Sequence, residues 1–356
     1  RAWVWGALRW GFGWSAEAIE QSCYNDPHAP PPPTQAERAA LVGEAIADAP
    51  AHVIGDYPEW LDQSLARAFG DARGQEGAAL ARPAPLDLRA NTLKASGEKV
   101  IAALGESPRL KEPPQASPYA PDGVRIPWTQ GRTFPWASEQ SFLKGWFEVQ
   151  DEGSQLAALL CGARPGMQVA DVCAGGGGKT LALAAAMQNK GQIFAHDVDG
   201  RRLAPLRERI ERAGVRNAQI RPPQRTKDAL ADLVGRMDIV LVDAPCTGSG
   251  TWRRSPDSKW RLRPNALAKR LEEQRAALAM AAPLVKPGGH LVYVTCSVLP
   301  EENEDQAAAF AAANEAFSAM TLPASFPAHV RGAGLQMSPL KTGTDGFYVA
   351  AFRRRT

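Results

Sequence analysis

The sequence predicts an α/β protein: a doubly wound, mostly parallel sheet over residues 151–356, preceded by a small helical region over residues 1–70 and a small α+β unit over residues 71–150. Three observations predict it. From Asp151 onward, short apolar runs alternate with stretches of helical period, which is the pattern of a parallel sheet with crossover helices. The first of these runs passes straight into a glycine-rich loop and then a helical stretch. Two further runs end in turn-forming residues that carry cysteine, where ligands of open α/β sheets bind.

At 356 residues the chain exceeds what one hydrophobic core usually organises, so more than one unit is expected. Residues 1–70 carry helix-like apolar spacing, as in Ala39-Ala40-Leu41-Val42 through Ile46, broken by the rigid run Pro30 to Pro33. From Pro85 the pattern shifts to strand-like runs at 86–89 and 123–126 around a helical segment near 96–104, a compact α+β unit ending near Val149. In the main unit the strands are read at 169–172, 192–196, 218–221, 238–242 and 290–295, with a closing strand at 346–352.

Hydrophobic residues at 44% and charged residues at 22% are ordinary globular values, and no uninterrupted apolar run approaches a membrane span. The opening Arg1-Ala2-Trp3-Val4-Trp5 reads as a truncated start rather than a signal peptide, and a cytoplasmic, monomeric protein is expected. Five scattered cysteines without a C-x-x-C pair argue against a disulfide framework or a metal site. The net charge of +3 does not by itself demand a polyanionic partner.

The glycine loop reads Cys173-Ala174-Gly175-Gly176-Gly177-Gly178-Lys179-Thr180. A phosphate-binding P-loop needs Gly where Cys173 stands, and the dinucleotide fingerprint needs Gly or Ala at Thr180, so neither reading holds. About twenty residues on, the second strand ends at Asp197, where a nucleoside-binding sheet places its ribose ligand. Taken alone, the glycines are equally compatible with a tight turn and Asp199 with a helix cap. The fourth strand ends in Asp243-Ala244-Pro245-Cys246 and the fifth in Thr295-Cys296-Ser297, so both thiols are expected to face the same crevice as the loop. Cys161 and Cys23 read as small buried hydrophobes.

Glu148-Val149-Gln150-Asp151-Glu152-Gly153-Ser154-Gln155, the loop from Cys173 to Thr180, Asp243-Ala244-Pro245-Cys246, and Thr295-Cys296-Ser297-Val298-Leu299-Pro300-Glu301-Glu302-Asn303-Glu304 together resemble the RsmB/Sun-type (NSUN-like) RNA cytosine-5 methyltransferases. The likeness extends over more than half the chain. Gly55-Asp56-Tyr57-Pro58-Glu59-Trp60-Leu61 and Leu86-Asp87-Leu88-Arg89-Ala90-Asn91-Thr92 resemble the family's RNA-binding N-terminal part.

The resemblance implies a class I methyltransferase fold with a Rossmann-like, seven-stranded sheet. It implies S-adenosyl-L-methionine held by Cys173 to Lys179, Asp197 and Asp243, with Cys296 as nucleophile and Cys246 as the releasing cysteine. Gly175-Gly176 stands where the family has Ala-Pro, and Gln224 where it has an adenine-contacting Asp; a Gln amide still offers hydrogen bonds to a base edge. The implied substrate is RNA, ribosomal RNA ahead of transfer RNA. The competing readings are a non-catalytic RNA-binding protein on the same fold and a methyltransferase of small molecules or proteins.

A thiolate is the group such chemistry needs, and positive neighbours or a following helix N-terminus are expected to favour it at Cys296. The basic stretch Trp252-Arg253-Arg254 to Lys259-Trp260-Arg261-Leu262-Arg263 reads as an RNA surface, with two tryptophans for base stacking. A second basic run from Arg201 to Arg225 reads as an ordinary exposed helix face.

Overall fold

The computed structural model describes residues 2–24, 29–42, 49–224, 226, 228–323 and 325–356. Thirteen strands are numbered in chain order: β1 (Leu86–Ala90), β2 (Gln115–Ala116), β3 (Gly123–Ile126), β4 (Phe147–Val149), β5 (Gln168–Asp171), β6 (Gln192–His196), β7 (Ala218–Arg221), β8 (Met237–Asp243), β9 (Val285–Thr295), β10 (Phe317–Met320), β11 (His329–Arg331), β12 (Gly334–Met337) and β13 (Phe347–Arg354).

The main sheet has the order β11-β12-β13-β9-β8-β5-β6-β7, with β10 also paired to β13. The five strands from β7 to β9 in that order run parallel, and β13 returns antiparallel to β9, in register from Tyr348 opposite Thr295 to Arg353 opposite His290. After β5 the chain builds outward through β6 and β7, then jumps back to lay β8 on the other side of β5. That reversal opens a crevice beyond the carboxyl ends of β5 and β8. Met237-Asp238-Ile239-Val240-Leu241-Val242-Asp243 is nearly continuous in apolar residues because helices cover both faces of the sheet. Its alternate residues divide between the two layers: Ile239 and Leu241 pack with Val169, Leu181, Val292 and Val349, whereas Val240 and Val242 pack with Ala170, Val172, Tyr293 and Phe352.

Among the described residues the main sheet has nine strands where seven are expected. The eight residues of β13 are long enough to pair two short strands end to end along one edge, β12 against Gly334↔Ala350 to Met337↔Phe347 and β10 against Phe317↔Arg354 to Met320↔Ala351. A hairpin then adds β11 to β12. The closing strand also begins at Phe347 rather than at Gly346, and β9 starts early, at Val285.

Ahead of this sheet, β2-β3-β1-β4 form an antiparallel sheet whose inner face gathers Leu88, Val124, Ile126 and Phe147 against Val100 and Leu104 of the helix Gly97–Gly105. Ser96 caps that helix by accepting from the Lys99 N–H. The N-terminal helices run past residue 70 to Ala81, where Pro83 and Pro85 prevent continuation into β1. The segment expected to be helical through Ile46 is described only to Val42, as the helix Gln35–Val42; residues 43–48 lie outside the described residues.

The helical region does not have its core to itself. Tyr57, Leu61, Leu65, Phe69 and Leu80 share one apolar cluster with Trp252, Leu262, Val298 and Leu299, which belong to the segments following β8 and β9. Buried charge adds a second weld. Arg253 donates to Asp345 Oδ1 (2.5 Å) and Asp151 Oδ2 (3.2 Å), and Arg254 to Asp345 Oδ2 (2.5 Å) and Asp151 Oδ2 (2.8 Å). These four residues tie the segment after β8 to the entry of β13 and to the helix Glu152–Leu160. Removing one partner strands buried carboxylates. Arg253→Ala is therefore expected to cost roughly 3 kcal/mol of stability, the low end for a broken buried pair because Arg254 still faces both acids. An unchanged denaturant midpoint refutes the weld.

Candidate active site

The strand ends facing the crevice carry the residues singled out in the sequence. The glycine loop leaves β5 and enters the helix Gly178–Ala186, whose N-cap, Gly177, supplies no side-chain cap. The first N–H groups of that helix therefore face the crevice without a capping side chain. Gly177 lies at φ +82°, and a Cβ there would sit 2.0 Å from Leu206 Cδ1, so only glycine fits. Cys173 is buried behind the loop, and the Ala174 N–H donates to the His196 carbonyl (2.8 Å), tying the loop to the end of β6. Gly175 N–H reaches Asp197 Oδ2 at 3.0 Å, and Arg209 donates to the Gly176 carbonyl at 2.6 Å.

Asp197 is buried and accepts from Gly175, from the Asp199 N–H (3.0 Å) and from Arg202 (3.1 Å), with carboxylate lone pairs left for further donors. Side-chain-free backbone at Gly175 to Gly178, an uncapped helix start and this acid are the donor and acceptor set that a nucleoside carrying an amino-acid tail requires. Gln224 stands exposed beyond the end of β7.

Asp171, outside the sequence reading, supports the loop through Thr180. Thr180 donates to Asp171 Oδ2 at 2.7 Å, while Asp171 Oδ1 is buried without a partner among the described residues. Burial pushes the Asp171 carboxyl up to about 7, opposed by the Thr180 hydroxyl and reinforced by the charge of Asp243.

The two cysteines converge. Cys246 Sγ and Cys296 Sγ are 3.2 Å apart, both half-buried, a hydrogen-bonding distance well beyond the ~2.05 Å of a disulfide. Their loops brace each other: Ser249 and Ser297 hydroxyls meet at 2.9 Å, the Gly250 N–H donates to the Cys296 carbonyl (3.0 Å), and the Val298 N–H donates to Ser249 Oγ (2.9 Å). Glu302, fully buried, accepts from the Thr247 N–H (2.8 Å) and hydroxyl (2.5 Å). Asp243 lies at the end of β8 with Lys179 Nζ at 2.7 Å from its Oδ2. Lys179, assigned in sequence to the cofactor loop, thus directs its ammonium at Asp243, 5.2 Å from the Phe347 ring centroid. Burial works against the charge on Lys179, but Asp243 and Cys296 more than offset it and hold the amine above its ordinary range.

The positive group beside Cys296 is therefore Lys179; the next helix begins only at Glu304, too far along the chain for its N-terminus to serve Cys296. Nothing in the sequence spacing connects Lys179 to Cys296. Glu302, Thr247 and Ser249 carried no signal beyond their place in short motifs.

The basic stretch after β8 is largely consumed inside the protein. Trp252 is 1% exposed and packed against the helical region, Arg253 and Arg254 serve Asp151 and Asp345, and Lys259 is buried against Asp56. Trp260, at 38% exposure, and the exposed Arg261 and Arg263 remain at the surface. In the second basic run, Arg201 and Arg207 are exposed as expected. Arg209 (2.9 Å) and Arg212 (2.6 Å) instead grip buried Glu148 of β4, and Arg225 lies outside the described residues. Among the described residues no helix is long and apolar enough to cross a membrane.

Sheet order and cradle define an enzyme of the class I S-adenosylmethionine-dependent methyltransferases, and comparison with known proteins narrows the class. The chain belongs to the family described as 16S rRNA methyltransferase RsmB/F, whose model matches residues 158–353. It is 34% identical over 326 residues to a probable ribosomal RNA small subunit methyltransferase B of Synechocystis sp., covering 89% of this chain and 72% of the relative. It is also 34% identical over 328 residues to ribosomal RNA small subunit methyltransferase B of Sodalis glossinidius, covering 90% of this chain and 70% of that one. A solved methyltransferase homolog protein from Pyrococcus horikoshii superimposes with a TM-score of 0.69 at 29% identity, over 85% of this chain and 97% of its own. The protein is an RNA methyltransferase, and its cofactor is S-adenosylmethionine.

An acid whose carboxyl is pushed up on folding stabilises the fold below the ordinary carboxylate range, and that contribution is lost as pH rises to its folded value. Asp171→Asn removes the buried charge but keeps an acceptor for Thr180. The melting temperature of the variant relative to the parent is expected to rise between about pH 4 and pH 8. A difference that stays flat across that range contradicts the assignment.

Proposed function

We propose that the chain methylates carbon 5 of cytosine in small-subunit ribosomal RNA, with Cys296 adding to carbon 6 of the base and Cys246 assisting release. The 3.2 Å approach of two thiols from neighbouring strand ends, beside the Asp243–Lys179 pair, carries this reading. The names of the relatives support the ribosomal substrate.

Carbon 5 of an aromatic cytosine is a poor nucleophile, and adding a thiolate at carbon 6 converts it into an enamine carbon. Asp243 shares one proton with the ring nitrogen and accepts from the exocyclic amine, so charge entering the ring is stabilised. Lys179, 2.7 Å from that carboxylate, holds it in place. The bound cofactor supplies an electrophilic methyl group on its sulfonium, with the glycine loop from Cys173 to Lys179 and Asp197 orienting it. Once carbon 5 is methylated, its proton passes to Cys246 acting as base, and the electrons of that C–H bond expel the Cys296 sulfur as thiolate. Cys246 lies within reach of both events. The base must be unstacked to enter, at a cost on the order of a few kcal/mol that is least in single-stranded RNA. Trp260, Arg261 and Arg263 are the exposed part of the stretch after β8 that suits such RNA.

Cys296→Ala is expected to abolish 5-methylcytosine and leave no covalent RNA adduct. Cys246→Ala is expected to slow turnover by roughly 10²–10⁴-fold and to trap RNA on the protein in a denaturing gel. Trapping by Cys296→Ala instead overturns the assignment, as does a methylated product without 5-methylcytosine. Asp197→Ala is expected to weaken S-adenosylmethionine roughly tenfold or more in calorimetric titration, and unchanged affinity removes Asp197 from the cofactor site.

A further inference from the structure

Two thiols 3.2 Å apart cannot both ionise at ordinary pH, because the second negative charge is opposed by the first. Their chemical roles then depend on which one is the thiolate. Both are half-buried and both lie just beyond the carboxyl end of a parallel strand, so exposure does not separate them. The surrounding charges do.

On the side of Cys296 stands Lys179, whose ammonium pairs at 2.7 Å with Asp243, the residue opposite Val294 on the neighbouring strand, two positions before Cys296. On the side of Cys246 stands the carboxylate of Glu302, six residues beyond Cys296 in the chain yet bonded to Thr247, the immediate neighbour of Cys246. Glu302 Oε1 accepts the Thr247 N–H (2.8 Å) and the Gln274 amide (3.0 Å), and Oε2 accepts the Thr247 hydroxyl (2.5 Å). Three donors aimed at one carboxyl suit its ionised, acceptor-only form. Gln274 Nε2 also donates to the Pro245 carbonyl (3.0 Å), so the peptide groups on both sides of Cys246 are gripped by the Glu302–Gln274 pair.

We propose that Glu302 is the positioning residue that divides labour between the thiols: it fixes the Cys246 loop through Thr247 and Gln274 and sets a negative charge beside Cys246 that disfavours the thiolate there. The inference rests on the reading of Cys296 as nucleophile. The hydrogen bond to Cys296, burial, and the charges of Cys296 and Glu302 all raise the Cys246 thiol well above its ordinary range. The other titratable groups around the pair are Asp243, paired to Lys179, and Tyr293, whose hydroxyl donates to the Glu302 carbonyl at 2.6 Å. Burial holds the Glu302 carboxyl above its ordinary range, and the Thr247 and Gln274 donors offset part of that push.

The test is peptide-resolved alkylation of the full chain by iodoacetamide across pH 6–9, without RNA, where each thiolate displaces iodide and mass spectrometry reads each cysteine. In the parent protein Cys296 is expected to react at least about tenfold faster than Cys246. A faster Cys246 in the parent overturns the proposal without any variant being needed. Glu302→Gln keeps an acceptor for Thr247 but loses the charge, and is expected to bring the ratio several-fold closer to one, with the alkylation profile of Cys246 shifted to lower pH. Glu302→Asp, which restores the charge, is expected to restore the ratio. A merely structural role for Glu302 predicts instead a lowered melting temperature in Glu302→Gln with the parent's ratio, and that result rejects the proposal. Failure of the nucleophile assignment shows separately, as an RNA adduct on Cys296→Ala.

Discussion

Backbone contact between Gly250 and Gly346 is the constraint on which the crevice depends. A Cβ at Gly250 would lie 2.0 Å from the Gly346 carbonyl oxygen, and the Gly346 N–H donates to the Gly250 carbonyl at 2.8 Å. Because β13 runs antiparallel to β9, its first residues arrive at the carboxyl ends of the parallel strands, where the loop after β8 can meet them. The same Gly250 donates its own N–H to the Cys296 carbonyl. One glycine thus joins three strand ends, and the thiol spacing follows from that junction and from the serine pair beside it.

Charge inside the protein serves assembly before it serves substrate. Asp87 and Glu152 both receive Arg125, linking the α+β unit to the first helix of the main unit; Glu148 receives Arg209 and Arg212; Asp151 and Asp345 receive Arg253 and Arg254. Such pairs gain little over apolar packing in net stability, but they leave large penalties for any arrangement that separates the partners. The α+β unit and the main unit are therefore held at defined positions around the crevice, and Arg209 connects that framework directly to the Gly176 carbonyl of the glycine loop. Many of the arginines that make the sequence look basic near the site are already paired.

The sheet was legible in the sequence because parallel strands buried on both faces leave uninterrupted apolar runs, as in β8, and because the glycine loop marks where the first of them ends. Strand number was less legible. The residues of β10, β11 and β12 are short and only partly apolar, and they are strands because the long closing strand offers them an edge. The tryptophans show the same limit: Trp252 and Trp260 sit eight residues apart in one basic stretch, and only the packing of Tyr57, Leu61 and Leu65 sends the first into the core.

By itself the sequence determined the class of fold and placed the glycine loop, Asp243 and the two cysteines at strand ends, since each sits in a local motif at the end of a predictable strand. Tertiary structure alone decided that the sulfurs meet, that Lys179 turns from the loop to Asp243, and that Glu302 reaches Thr247. These are contacts between segments fifty or more residues apart, set by strand order and by the crossing of loops. Local periodicity encodes which face a residue takes; it carries no information about which distant side chain it will meet there.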